Sequence, residues 1–225
     1  MTDDYLKIGY HVDRYYELEE DFIEVLRYMP LEIYDTPQKR KEAKSTYLAD
    51  LLLRIGSNID IVFRKMIMSS KYKIVYDSKL TKINDKRKEE GKEPLKEVNL
   101  GFDDYMELEN ELGPNQKLSN HTVIVIQTQE RLTPFKDWGS RHTPTWWSSY
   151  NKVKHHAELD EANLDNVIQA LAALLLLVCI NNHSIKMLNC GYLCIDPKFK
   201  RKVILGMREH KHDIITKVFI SPIQS

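Results

Sequence analysis

The most constraining feature of this sequence is a long stretch, residues 145–186, that contains neither glycine nor proline. Because these two residues are the least favourable in helix interiors, their absence lets helix propagate through the stretch. In its second half, residues 160–183, apolar residues recur at helical spacing, and alanines and leucines fill the opposite side. A helix that is apolar nearly all round is buried on most sides. The sequence therefore predicts a helix at the centre of a bundle or at an interface between two copies of the chain.

The first half of the same stretch predicts a second helix, which carries polar residues beside aromatic ones. Thr143 and Pro144 are typical of a helix start, with threonine as the N-cap and proline at the first helical position. Successive residues lie about 100° apart around an α-helix. At that spacing one contiguous face holds six side chains: Trp147, Tyr150, Asn151, Lys154, His155 and Glu158.

Two interpretations of this face follow from the residues alone. As a site, the ammonium of Lys154 and the imidazole of His155 offer phosphate binding and proton transfer near neutral pH. As ordinary packing, Trp146, Trp147 and Tyr150 are core anchors, and the polar residues lie on the solvated side, as is common on amphipathic helices. The pattern by itself is compatible with both.

Two further helical patterns precede this stretch. Residues 10–29 carry apolar side chains at helical spacing until Pro30 ends the pattern. Residues 37–69 predict one long helix with an apolar stripe along it. Gly56 lies near the middle of that helix, and its lack of a side chain allows another helix to approach closely.

Two polar residues, Arg54 and Asn58, flank the apolar stripe of the 37–69 helix. One interpretation is that they reach the face that holds Asn151 and His155, where they are candidate ligand-binding residues. The other is that both remain at the rim of a buried stripe, which is an ordinary place for polar side chains on an amphipathic helix.

The middle of the chain changes character. Residues 71–76 predict a short strand or a helix extension, and residues 77–97 mix charges of both signs, which favours a loop or a flexible helical arm. Residues 102–112 predict a short acidic helix. Residues 120–127 are rich in β-branched side chains and predict a buried strand.

A single buried strand needs a partner, so we expect a small sheet beside the helices. Three later segments are candidate partners for it: residues 190–195, 202–205 and 217–220. Residues 131–142 predict a loop that leads into the motif helix. We expect this loop to pack Trp138 near Trp146 or Trp147.

The length and composition indicate one mainly α-helical domain that spans residues 1–225, and 42% hydrophobic residues suffice for a substantial core. We expect a helical bundle from residues 10–70 and 143–183. An insertion at residues 71–130 and a C-terminal β appendage at residues 184–225 complete the predicted organisation.

The formal net charge is zero, but the charges are unevenly distributed. Residues 1–32 hold nine acids and three bases, whereas residues 198–217 hold seven bases and two acids. A basic segment of this kind binds nucleic acid or pairs with the acidic start of its own chain, and the overall balance is compatible with either.

The cysteines and the apolar runs predict a cytoplasmic protein without a membrane segment. Cys179, Cys190 and Cys194 fit a reducing compartment better than a disulfide framework. The N-terminus is acidic, unlike a signal peptide. The most apolar run, residues 170–180, is shorter than the roughly 20 residues that a transmembrane helix needs.

The sequence predicts neither a metal site nor a cofactor. His210 and His212 lie in a basic segment without the acidic or cysteine neighbours of a metal site. The chain contains no phosphate-binding glycine loop, no His-Glu-x-x-His and no Gly-x-Ser-x-Gly pattern.

The motif helix carries a resemblance to a known family. The pattern Trp-Trp-x-x-Tyr-Asn-x-x-Lys-His, residues 146–155, followed by a long Ala/Leu-rich helix, resembles the HEPN superfamily of small α-helical bundle proteins. The resemblance implies an antiparallel helical bundle and covers residues 45–70 and 134–180. In that superfamily a motif arginine is followed by a polar residue, often asparagine, and by a histidine.

Active members of the superfamily are metal-independent ribonucleases in which the motif helices of two protomers meet. The resemblance therefore implies a homodimer through the motif and 160–183 helices, with His155 as general acid or base, Asn151 as its orienting residue and Lys154 against phosphate charge. Tyr150 and Trp147, with Arg54 and Asn58, are the implied ligand-binding residues.

The motif arginine is replaced by Tyr150, which carries no charge at neutral pH. This replacement favours an RNA- or nucleotide-binding module of a prokaryotic defence or toxin-type system. The alternatives are a metal-independent ribonuclease that uses His155 and a protein-interaction scaffold.

Overall fold

A computed structural model of the protein describes residues 8–113, 117–125, 128–136, 138, 142–181, 186–188, 193–195 and 204–206. This part of the chain is mainly α-helical with a small β component, which confirms the predicted fold class. The helices are α1 (Ile8–Leu26), α2 (Pro37–Glu42), α3 (Thr46–Met68), α4 (Lys73–Glu89), α5 (Phe102–Glu111), α6 (Thr145–His156) and α7 (Leu164–Asn181). The strands are β1 (Val123–Val125), β2 (Arg131–Leu132), β3 (Lys186–Leu188), β4 (Leu193–Ile195) and β5 (Ile204–Gly206).

Helix α7 lies at the centre of the bundle. From Val167 to Cys179 every side chain except Gln169 is buried. The helices that cover α7 belong to the same chain, namely α1, α2, α3 and α6. Of the two predicted explanations for its apolar circumference, burial within one chain is the one observed. The homodimer stays a prediction, and α7 does not supply exposed apolar surface for it.

Helices α1 and α3 pack in opposite directions. Asp21, near the end of α1, pairs with Arg54 in the first half of α3. At the other end of the pair, the charge of Lys65 acts on His11, and its effect adds to that of burial in lowering the histidine pKa. Helix α1 begins at residue 8 and ends at residue 26, close to the predicted 10–29.

The predicted 37–69 helix is wrong in one respect, because it consists of two helices. Thr36 caps α2, which ends after six residues. Ala43 then takes an extended conformation, and its carbonyl accepts the Leu164 N–H at the start of α7 at 3.0 Å. This contact diverts the backbone from helix, and Ser45 starts α3 anew.

The Ser45 cap is a direct test of this break. Its hydroxyl oxygen accepts the Leu48 N–H at 3.1 Å, which satisfies one of the unpaired donors at the start of α3. We expect Ser45→Ala to lower the free energy of unfolding by about 1 kcal/mol, measured by urea denaturation. Ser45→Asp keeps a capping oxygen and is expected to unfold like the wild type. Equal losses in both variants would contradict a capping role.

The predicted insertion is more ordered than expected. Residues 73–89 form α4, so the strand alternative for residues 71–76 is wrong and the helical-arm alternative is the one observed for residues 77–89. Residues 90–97 follow outside any helix or strand. The side chain of Asn84 exchanges two hydrogen bonds with the backbone of Leu95, at 2.7 and 3.0 Å, and Arg87 donates to the Glu93 carbonyl. These bonds hold the returning segment along α4 and explain why a highly charged sequence is helical.

Helix α5, predicted as residues 102–112, is confirmed and is firmly attached to the bundle. The Tyr105 hydroxyl donates to the Asp60 carboxylate on α3, and burial raises the pKa of this tyrosine. The buried Glu109 carboxylate accepts the backbone N–H groups of Leu118 and Ser119 at 2.9 and 3.0 Å. Both contacts lie beyond the first turn of the helix.

The strand predicted at 120–127 is confirmed over Val123–Val125, which form β1, and one of its predicted partners is correct. Strand β1 pairs antiparallel with β4, within the 190–195 candidate, and on its other edge with β2. The 131–142 segment was predicted as loop throughout, so its start as β2 is a correction. The 202–205 candidate overlaps β5, which pairs in parallel with β3.

Several sequence predictions lie outside the described residues. These are the acidic residues 1–7, Cys190, the 217–220 strand candidate, and His210 and His212 within the basic segment. Within the described part of the chain, no helix is long and apolar enough to cross a lipid bilayer.

Candidate functional site at the end of helix α6

Helix α6 begins one residue later than predicted. Pro144 is its cap residue, and the Pro144 carbonyl accepts the N–H groups of Trp147 and Ser148 at 3.0 and 3.1 Å. The helix ends at His156, so the predicted place of Glu158 on its face is wrong. Ala157 takes the left-handed conformation with φ 55°. This residue turns the chain into the short 3-10 helix Leu159–Glu161 that leads to α7.

The inner side of α6 is core. Trp146, Trp147, Tyr150 and Val153 are all buried, and the Trp146 indole N–H donates to the Pro134 carbonyl at 2.8 Å. The ring of Tyr150 lies directly on Gly56 of α3. The close approach predicted at that glycine is therefore confirmed. Trp147 and Tyr150 are packing residues in this structure, so the predicted continuous polar-aromatic face is wrong: its aromatic part points inward.

The outer side of α6 presents its polar residues to solvent. Lys154, His155 and His156 are exposed, and Asn151 is partly buried beside them. The Lys154 ammonium lies 5.2 Å from the centroid of the Tyr150 ring, a cation–π contact. The structure thus brings Asn151, Lys154 and His155 together on one turn, as predicted for the catalytic set.

A buried polar network fixes this turn relative to α7. Asn166 donates to the Ser149 hydroxyl at 2.8 Å and to the Glu161 carbonyl at 3.0 Å. The Glu161 carboxylate accepts from Lys152 at 2.8 Å, and this bond raises the pKa of the lysine. Sequence reasoning missed the network, because its members are separated along the chain and belong to three elements.

Arg54 and Asn58 do not join this turn. Arg54 pairs with Asp21 of α1, and the Asn58 amide donates to the Arg54 carbonyl at 2.7 Å. Both residues lie roughly 160° around α3 from Gly56, at 100° per residue. Since Tyr150 packs on Gly56, the two residues face away from α6. Their predicted ligand-binding role beside Asn151 and His155 is a placement error, and the rim interpretation describes them better.

An aromatic cluster adjoins the inner side of α6. Trp138 does pack close to the motif tryptophans, as expected, but through intermediate rings. Phe135 contacts Trp138 at 4.3 Å and Trp146 at 5.8 Å between ring centroids. Phe102 stacks on Trp138 and Trp147 at 5.4 Å each. The cluster joins the 131–138 segment, α5 and α6.

A fully buried arginine lies on another side of α7. Arg40 of α2 donates to both Glu130 oxygens at 2.9 and 2.7 Å and to Asp165 of α7 at 3.0 Å. Burial opposes the charge of Arg40, but the two carboxylates outweigh this effect and raise its pKa. In this cluster Arg40 is fully enclosed and Glu130 is partly exposed, and we interpret the cluster as structural.

The described residues provide neither a metal-binding cluster nor a reactive thiol. Among them, no three histidine, cysteine, aspartate or glutamate side chains are placed to hold a metal ion. Cys179 is buried in α7, and burial raises the pKa of its thiol to about 12, so it is an unreactive thiol at neutral pH.

The chemical capacity of the candidate site therefore resides in one exposed helical turn. It offers an ammonium, two imidazoles and an amide, which can bind phosphate and transfer protons. Comparisons of the chain with known protein families, with curated proteins and with solved structures found no match.

Proposed function

We propose that the protein is a HEPN-like module that binds RNA or a nucleotide through the last turn of α6. The observation that carries the proposal is the exposure of Lys154, His155 and His156 on a helix whose opposite side is locked in the core. Such a rigid element holds its cations in a constant position, which favours phosphate recognition.

The state of the two lysines of α6 supports this assignment. Lys152 is neutralised by Glu161 at 2.8 Å, whereas Lys154 contacts the face of an aromatic ring. A cation–π contact leaves the ammonium charge uncompensated, so Lys154 remains available to a phosphate. Basic residues are also favourable at a helix C-terminus, by about 0.3–1 kcal/mol, so a binding measurement must separate recognition from helix stabilisation.

The replacement of the motif arginine favours binding over turnover. Tyr150 is 1% exposed and packs on Gly56, so position 150 faces the core. Phosphoryl chemistry depends on positioned cations at the reacting centre. Exposed His155, four residues after Asn151, is the feature that supports the alternative, a ribonuclease with His155 as general acid or base.

The test is binding of a fluorescently labelled single-stranded RNA, followed by anisotropy at several salt concentrations. We expect Lys154→Glu to weaken binding by roughly tenfold or more and to reduce the salt dependence by about one phosphate contact. Lys152→Ala is the matched control on the same helix, and its affinity should stay within about twofold of the wild type. Equal effects of the two variants would refute the proposal. So would the absence of RNA binding at about 50 mM salt, where phosphate contacts are strong.

The same preparations decide between binding and cleavage. Cleavage of the RNA in EDTA that is lost in His155→Ala would establish the ribonuclease alternative. Intact RNA with retained binding would establish the module. Absence of both RNA binding and RNA cleavage would leave the scaffold alternative. Light scattering of the same samples tests the homodimer, for which the exposed turn of α6 is the available part of the predicted interface.

A further inference from the structure

Phe102 lies in an aromatic slot that is formed by Trp138 and Trp147. Its ring stacks on the indoles of Trp138 and Trp147, with a centroid distance of 5.4 Å and an interplanar angle of 29° in both cases. The two tryptophans are buried, whereas Phe102 is only partly buried. One partly buried ring therefore lies against two buried indoles.

Three buried hydrogen-bond groups of this cluster have no partner among the residues that the structure describes. They are the indole nitrogens of Trp138 and Trp147 and the hydroxyl of Tyr150, whose ring centroid lies 5.3 Å from that of Trp147. The neighbouring Trp146 differs, since its indole N–H reaches the Pro134 carbonyl. Buried polar groups are nearly always paired, so three unpaired groups in one cluster require an explanation.

Phe102 is the most replaceable member of the cluster. It is the first residue of α5, and the backbone beside it is held by bonds that do not involve its ring: the Leu100 carbonyl accepts from Arg64 at 3.0 Å, and the Gly101 N–H donates to Asp104 at 2.6 Å. The contacts that attach α5 to the bundle, through Tyr105 and Glu109, lie further along the helix. The Phe102 ring can therefore leave the slot while α5 stays in place.

We propose that the slot is a binding site for a nucleobase, which displaces Phe102 and stacks on Trp138 or Trp147. A base offers an aromatic face and ring-edge acceptors, and these match two indoles together with unpaired N–H and O–H donors. The inference deepens the proposed function, on which it rests, because it assigns base recognition to the same helix that presents Lys154 to phosphate.

The test uses adenosine, AMP and ribose 5-phosphate as probes, with calorimetry for affinity and tryptophan fluorescence for location. Phe102→Ala empties the slot and is expected to bind adenosine at least tenfold more tightly than the wild type, with quenched fluorescence. Phe102→Leu is the matched intermediate variant, since its smaller side chain vacates only part of the slot, and its adenosine affinity is expected to lie between those of the wild type and Phe102→Ala. It also replaces the alanine variant if that variant does not fold. Tighter adenosine binding in neither variant would overturn the proposal.

Tyr150→Phe tests the hydrogen-bonding part of the inference. In the Phe102→Ala background it is expected to weaken adenosine binding several-fold while leaving the unfolding midpoint of the free protein unchanged or higher. An unpaired buried hydroxyl contributes nothing to the free fold, which explains the second expectation. A lower midpoint without any loss of adenosine affinity would show a structural role and would contradict the assignment of Tyr150.

The two proposals fail in different ways. Adenosine has no phosphate, so its binding to the slot does not depend on Lys154. If adenosine binds and Lys154→Glu does not weaken RNA binding, the base-binding slot is supported and the phosphate site at Lys154 is refuted. If RNA binding depends on Lys154 but ribose 5-phosphate binds every variant as tightly as AMP does, the phosphate site is supported and the base-binding slot is refuted.

Discussion

Replacement of Arg40 by alanine is expected to lower the free energy of unfolding by about 3 kcal/mol, the lower end of the range for removing one partner of a buried ion pair, because Glu130 is partly exposed to solvent. Arg40 is 1% exposed. Its guanidinium donates two hydrogen bonds to Glu130 and one to Asp165. Its removal leaves two carboxylates close together without their cation. Urea denaturation monitored by circular dichroism measures the loss.

The adjacent Lys39 provides a matched control. It carries the same charge on the same helix, but its bond to Asp35 is exposed on both sides. Exposed ion pairs contribute about 0–1 kcal/mol, so Lys39→Ala should remain close to the wild type. Arg40→Lys is expected to fall between the two, because lysine keeps the charge and loses the paired geometry toward Glu130. Similar stability of the Arg40 and Lys39 alanine variants would contradict the structural role of the cluster.

Replacement of Gly56 by alanine is the second large expected effect. A β-carbon at this position would lie well inside 3.0 Å of three ring carbons of Tyr150. Ring carbons close to the backbone cannot move aside without shifting α6. Overpacking of this kind typically costs about 1–3 kcal/mol, and here it opposes the roughly 1 kcal/mol by which alanine normally favours a helix over glycine.

A double-mutant cycle with Tyr150→Ala isolates this contact. The tyrosine substitution alone is expected to cost about 3–5 kcal/mol, as for other large aromatic side chains removed from a core. Once the ring is absent, Gly56→Ala should become neutral or stabilising, by up to about 1 kcal/mol. An alanine at position 56 that destabilises equally with and without Tyr150 would show that the two helices do not meet at this point. The unfolding free energies of the four proteins complete the measurement.

The burial of Tyr150 also bears on the motif arginine. A long charged side chain at position 150 would face Gly56 and the aromatic cluster, where an unpaired charge is costly. The position that the resemblance assigns to phosphate chemistry therefore belongs to the core in this protein, and Lys154 is the exposed cation of the same helix that contacts the Tyr150 ring.

Much of the secondary structure was predictable because it depends on local pattern. The apolar circumference of α7, the helical spacing in α1 and the β-branched run of β1 each lie within one short segment. The features that were missed are those in which a contact between distant segments overrides the local pattern. The 37–69 pattern continues through Ala43, yet the carbonyl of that residue bonds to the Leu164 N–H and the helix breaks.

The sequence by itself determined the approximate spans of α1, α5, α6 and α7, that α7 is apolar nearly all round, and that Gly56 permits close packing. Only the tertiary structure decided which side of α6 faces the core, because helical periodicity gives relative angles and not the direction of the partner helix. It turned Trp147 and Tyr150 inward, left Lys154 and His155 exposed, and directed Arg54 toward α1. Pairing between distant elements, such as Arg40 with Asp165, depends on the packed arrangement and has no local signature in the chain.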